Sequence, residues 1–244
     1  WWLMGLVILG TLGQLFLVAP SGWQYADGVR FYGINAHDGM WHVALMQTLG
    51  NKFPPDTPSF AGMPFKGYHY LVDLFGSEMI RVFRLPATGF TYRYLPMLFS
   101  VLTGLGVYAV VKRLTKSKPA QFLAVFLNYF GGSFGYILPL VGLKTGGWDS
   151  AFCAQQSIIT FINLPLGVSF AVMVSIFILF LGWLKNKEWL FLWITAVLVG
   201  IMVGIKAYGG ILMLGSFCLI VGLSVVIYKK WSWLLPVLLS ILIA

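Results

Sequence analysis

Charge is what this sequence has least of. Of 244 residues only 9% are Asp, Glu, Lys or Arg, against about 25% in an ordinary soluble domain. At that density a water-exposed surface cannot be covered, and a soluble globular domain is excluded. The chain has two cysteines, Cys153 and Cys218. One falls in a loop and the other inside an apolar run, so neither a disulfide framework nor a paired-cysteine metal site is expected. Acidic residues number 7 against 16 basic ones, a net charge of +9. In a soluble protein that balance would suggest nucleic acid. In a chain that is 59% hydrophobic it fits basic residues gathered at cytoplasmic helix ends, and no nucleic-acid partner is expected.

What is there is apolar length. Mean hydropathy is +0.86, and runs at 1–19, 94–111, 119–143, 158–184, 189–205, 208–228 and 231–244 approach the ~20 residues that cross a bilayer. The composition predicts an all-α, polytopic transmembrane helical bundle of about seven spans, forming one domain over 1–244. The chain opens on Trp1-Trp2 and stops at Ala244 inside an apolar run, which reads as a piece of a longer protein. Lys112, Arg113, Lys116, Lys118, Lys185, Lys187, Lys229 and Lys230 fall in alternate short loops, with only Lys144 and Lys206 in the others. The positive-inside rule then makes the N-terminus cytoplasmic, and the expected location is multi-pass in the plasma (inner) membrane. The long segment 20–93 becomes an extracytoplasmic loop.

That loop holds five of the seven acidic residues, Asp27, Asp38, Asp56, Asp73 and Glu78, and all three histidines, His37, His42 and His69. A segment of its length normally has structure or function of its own. Two short amphipathic helices are expected in it, over about 39–50 and 68–83, separated by the Pro-rich run Phe53–Pro58.

Three constellations could carry chemistry. In His37-Asp38-Gly39-Met40-Trp41-His42, Asp38 and His42 are four apart and share a helix face. A carboxylate beside imidazoles can accept a proton from a hydroxyl, and an Asp at a helix start can equally be an N-cap. A zinc site from His37, His42 and His69 would lack a fourth ligand, so the sequence leaves room for a divalent metal without specifying one. The second constellation is Gly67-Tyr68-His69-Tyr70 with Asp73 following. Its rings are either an interfacial lipid belt or the lining of a sugar or headgroup site. The third is a set of outward helix ends: Arg93, Gln155-Gln156-Ser157, and Lys206-Ala207-Tyr208-Gly209-Gly210. Free N–H groups there can hold a phosphate, while Lys206 can also simply snorkel.

The layout of one span, a large loop with an acidic residue and two surface helices, a basic cytoplasmic loop and further spans resembles the GT-C superfamily of membrane glycosyltransferases. The resemblance extends to protein O-mannosyltransferases and bacterial aminoarabinose transferases. It is carried by Asp-Gly-x-Trp-His at Asp38–His42, Phe-Pro-Pro-x-x-Pro at Phe53–Pro58 and Tyr-His-Tyr at Tyr68–Tyr70. The resemblance implies a polyprenyl-phosphate-linked sugar as donor, no organic cofactor, and inverting transfer with Asp38 as general base. The acceptor would be a hydroxyl on a glycan, lipid or protein. The three constellations make His37, His42, Tyr68, His69, Arg93, Gln156, Lys206 and Tyr208 the candidate substrate contacts. Relatives carry Gln-Arg-Ser where this chain has Gln155-Gln156-Ser157, so the basic phosphate contact would fall to Lys206 or Arg93. The rival expectations are a lipid or solute transporter or flippase, and a non-catalytic membrane scaffold.

Overall fold

The computed structural model describes residues 1–132, 142 and 157–244. Gln155, Gln156, Lys144 and the end of the expected third span lie outside the described residues. The protein is all-α, with two small β-hairpins. Among the described residues three helices are long and apolar enough to cross a membrane: Ala87–Leu114, Leu164–Asn186 and Ala207–Tyr228. Shorter apolar helices cover Trp2–Phe16, Trp189–Ile205 and Trp231–Ile243. In chain order we label the helices α1 (Trp2–Phe16), α2 (Asp38–Asn51), α3 (Leu71–Phe83), α4 (Ala87–Leu114), α5 (Lys118–Phe130), α6 (Leu164–Asn186), α7 (Trp189–Ile205), α8 (Ala207–Tyr228) and α9 (Leu234–Ile243). The hairpins are β1 (Trp23–Tyr25) with β2 (Gly28–Arg30), and β3 (Asp56–Thr57) with β4 (Phe60–Pro64). The two loop helices fall where the sequence places them. The hairpins were not expected, because strands of two to five residues are too short to show alternation. The Asp27-Gly28 dipeptide is the turn signal that marks the first of them.

The chain forms two compact units, residues 1–40 with 88–167 and residues 41–87 with 168–244. In the first, α1, α4 and α5 pack around Tyr129, which is fully buried with Leu6, Val7 and Val125. The ring lies directly on two glycines. A Cβ at Gly10 would sit 2.1 Å from Tyr129 Cγ, and one at Gly104 would sit 2.0 Å from its hydroxyl. Small residues allow close helix approach where lipid supplies no hydrophobic drive. The polar groups here are matched: Tyr129 donates to the Ser100 carbonyl at 2.9 Å, the Ser100 hydroxyl donates to Gln14 at 2.7 Å, and the Gln14 amide donates to the Ser157 carbonyl at 2.8 Å.

In the second unit α6, α7, α8 and α9 bury Phe180, Trp183, Leu192, Val199, Phe217, Val221 and Trp233 together. The ammonium of Lys187 lies 4.8 Å from the Trp183 ring and 4.9 Å from the Tyr228 ring, a cation–π arrangement that fixes the α6–α7 turn. Helices α7 and α8 are separated by one residue. Lys206 is extended (φ −153°, ψ 105°), ending one helix and starting the next. Gly204, the penultimate residue of α7, places a would-be Cβ 3.4 Å from Leu71 and so seats the start of α3 there.

Candidate functional site

Loop carboxylates divide sharply by partner. Asp27 pairs with Arg30 at 2.8 Å and Asp56 with Lys52 at 2.7 Å, and Glu78 pairs with Arg81. All three are local contacts three or four residues apart, of the kind that contributes little. The remaining two are held by imidazoles. Asp38 Oδ1 lies 2.9 Å from His37 Nδ1, with the Asp38 side chain 44% exposed and that of His37 92% exposed. Asp73 Oδ1 lies 2.8 Å from His42 Nδ1, and the Asp73 side chain is 0% exposed.

The pairing of His42 departs from the helical spacing. Asp38 and His42 share a helix, yet each has a different partner. Asp38 opens α2, where a carboxylate complements the helix dipole, and its neighbour His37 reaches it first. His42 belongs to the buried stripe of α2, with Leu45, Met46 and Leu49. That stripe faces α3, whose own buried positions are Val72, Asp73, Gly76 and Ser77.

Around the His42–Asp73 pair a polar cluster forms in the second unit. His69 stacks on Tyr68 with ring centroids 4.3 Å apart, and Tyr68 in turn sits against Phe65 and Trp41. Thus Tyr68 is part of an aromatic cluster with Phe65, Trp41 and His69. Lys206 is buried, with its ammonium 5.3 Å from the centroid of the Tyr208 ring. Its charge is felt at both His69 and Asp73. Burial raises the Asp73 carboxyl above its usual range, opposed by the His42 hydrogen bond and by the charges of His42 and Lys206. Burial, then Lys206, then His42 push the His69 imidazole down to about 4. His69 Nε2, Asp73 Oδ2 and Ser77 Oγ are buried with no hydrogen-bond partner among the described residues. Such atoms are costly in a folded interior and mark places built for something beyond packing.

Two expected contacts need correcting. Arg93 is not at a free helix start. Helix α4 begins at Ala87, and Arg93 lies inside a π-type turn over Phe90–Tyr94. Its Nη1 donates to the carbonyls of Ala19 at 3.0 Å and Ser21 at 2.8 Å, so it holds the chain after α1. Gly210 does not expose backbone beside Lys206. A Cβ there would lie 2.4 Å from Val203 Cα, so the glycine serves helix contact, and its N–H donates to the Lys206 carbonyl at 2.8 Å. Asp73, noted in the sequence only as following the Tyr-His-Tyr stretch, is the residue whose pairing with His42 sequence reasoning missed. The signal for it was an acid within the apolar stripe of α3.

No group of three or more His, Cys, Asp or Glu side chains among the described residues is arranged to hold a metal ion. No protein-family model, curated protein or solved structure matches this chain.

The His69 shift sets a sign for pH dependence. Unfolded His69 takes a proton near 6.5 and folded His69 only near 4. Between those values the unfolded state binds more protons, so stability is lost as pH falls from about 6.5 toward 4. Asp73, with its raised value, works the other way and loses stabilisation as pH rises through its folded value. Thermal unfolding in detergent from pH 7.5 to 4.5 is therefore expected to show a smaller acid-induced loss for His69→Gln than for the parent. Equal loss in both would show that His69 is free to protonate in the folded protein.

Proposed function

We propose that this chain is an integral membrane glycosyltransferase of GT-C type, a polytopic helical bundle in the inner membrane. It transfers a sugar from a polyprenyl-phosphate donor to an acceptor hydroxyl on the extracytoplasmic side. The observation that carries this reading is the state of Asp38. Of the five carboxylates in the loop, three are neutralised by local cations and Asp73 is sealed from solvent. Asp38 alone combines access with an imidazole partner. A hydroxyl is a weak nucleophile, and a positioned carboxylate that takes its proton as it attacks is the ordinary remedy. The acceptor oxygen forms its bond to the anomeric carbon from the face opposite the phosphate. The sugar–phosphate bond breaks, and polyprenyl phosphate leaves with the bonding pair, giving inversion.

The leaving phosphate needs fixed positive charge. Lys206 supports that role: it is buried, it opens α8 where the dipole favours an anion, and His69 beside it offers an unpartnered nitrogen. Lys206→Met keeps the apolar stem and removes the charge. Loss of a charge-assisted contact of about 1.5–3 kcal/mol is expected, or roughly 10–150-fold in affinity for a polyprenyl-phosphate analogue titrated against protein in nanodiscs. Unchanged affinity would take Lys206 out of the donor site.

The buried Asp73–His42 pair beside Lys206 favours a second reading, a proton-coupled transporter or flippase. Uptake of a lipid-linked sugar into vesicles with no release of free polyprenyl phosphate would select it.

A further inference from the structure

The β1–β2 hairpin, in the first unit, carries large aromatic side chains outward. Trp23 is 53% exposed and Tyr25 46% exposed. They are two apart on one strand and therefore share a face. Arg30 lies directly across from Trp23 in the register, so it belongs to that face as well.

Neither ring is loose. The Trp23 indole N–H donates to the Ala19 carbonyl at 3.0 Å, and the Arg93 guanidinium sits 4.7 Å from its ring centroid. Arg93 is itself fixed by its two bonds to the carbonyls of Ala19 and Ser21. Tyr25 has the Arg30 guanidinium 4.6 Å from its centroid, and Arg30 pairs with Asp27 at 2.8 Å in a solvent-exposed contact. Behind the hairpin the Ser21 hydroxyl accepts from the Tyr32 N–H and the Asn35 amide, both at 3.0 Å. Each exposed ring is thus backed by a guanidinium, and that of Arg93 behind Trp23 is anchored in turn. A ring held before a ligand arrives loses little entropy on binding.

We infer that the Trp23–Tyr25 face of this hairpin is a stacking platform for the pyranose rings of an anionic glycan, the acceptor of the proposed reaction. In naming the occupant as acceptor the inference rests on the glycosyltransferase reading. A pyranose has an apolar C–H face that stacks on an aromatic ring and a polar edge of hydroxyls. Around the two rings the hairpin offers Asp27, Arg30 and the backbone of a tight turn, which suit that edge. The charge also fits. Asp27 and Arg30 cancel, whereas Arg93 has only carbonyl partners and no carboxylate among the described residues, leaving the platform with one net positive charge. A sugar that bears a carboxylate matches it. Exposed Trp and Tyr also belong at a lipid interface, and the assay below separates that occupant from a saccharide.

The test uses the whole chain in nanodiscs and a hyaluronan tetrasaccharide, which alternates glucuronate and N-acetylglucosamine, with neutral chitotetraose as comparison. Tryptophan fluorescence and saturation-transfer NMR read binding directly. Saturable binding of the acidic tetrasaccharide is expected, weaker binding of the neutral one, and at least a tenfold loss in Tyr25→Ala and in Trp23→Ala. Trp23→Phe keeps a ring and retains most of the affinity, which separates stacking from misfolding. No saturable binding of the acidic probe, or binding indifferent to all three variants, overturns the inference. So does quenching of Trp23 by brominated lipids without any saccharide effect, which would make the hairpin a membrane anchor. No donor lipid is present in the assay. Loss of saccharide binding therefore leaves the donor reading standing, and failure of donor binding leaves the platform standing.

Discussion

Asp73→Ala is expected to destabilise the second unit by about 1–3 kcal/mol, the range for leaving a buried hydrogen-bonding group without its partner. Asp73 and His42 are both sealed from solvent, and their bond spans 31 positions of sequence at 2.8 Å. Alanine leaves the His42 ring nitrogen without its partner and removes the carboxyl beside buried Lys206. Asp73→Asn keeps an acceptor oxygen and the side-chain shape, so a smaller cost of about 0.5–1.5 kcal/mol is expected. The cost comes from orphaned groups rather than from the attraction itself. The double variant His42→Phe with Asp73→Leu, which replaces both polar ends by apolar volume, should therefore recover a large part of the loss. Urea unfolding in detergent micelles measures these proteins together with the single variants His42→Phe and Asp73→Leu. A loss below about 1 kcal/mol for Asp73→Ala would show that water reaches the pair. Full additivity of the two changes would show that they do not act as one.

These residues also show what sequence can and cannot carry. The helices were legible as apolar runs, and Trp189–Ile205 and Ala207–Tyr228 fall almost on them, but of the about seven spans expected only three helices among the described residues are long and apolar enough to cross a membrane. The loop helices were legible because a proline run separates them. His42, His69 and Lys206 stood out as polar types in apolar surroundings. Their gathering did not, because it depends on the packing of α2 on α3 and on Leu71 against Gly204, and no spacing rule encodes such contacts. The helical rule i, i+4 linked His42 to Asp38, but it describes which side chains can meet, not which partner wins when a buried carboxylate competes. Arg93 was misjudged for a related reason. Its basic side chain looked like a span boundary, whereas carbonyls freed by the turn after α1 gave it partners one turn deeper along α4. The hairpins escaped because their strands carry almost no alternation, although their turn chemistry was visible at Asp27-Gly28.

Asp38→Asn is expected to lower sugar transfer by about 10²–10⁴-fold, the range contributed by a positioned general base, while leaving the fold nearly unchanged. The two effects separate because the residue's structural contribution is bounded. Asp38 is partly exposed at the first turn of α2, where loss of a carboxylate's interaction with the dipole costs about 0.3–1 kcal/mol. Asparagine still accepts a hydrogen bond from His37 but has no lone pair basic enough to take a proton from a hydroxyl. Asp38→Glu moves the carboxylate by one methylene, so partial activity is expected from it. Asp56→Asn, which breaks only a local pair with Lys52, should remain near the parental rate. The assay follows release of polyprenyl phosphate from a lipid-linked sugar in nanodiscs, beside thermal unfolding of each variant. Near-parental turnover in Asp38→Asn with intact stability would remove the base assignment and leave Asp38 as a helix-start residue. Equal loss of activity and of stability would mean that the turn, not the proton, was what the substitution changed.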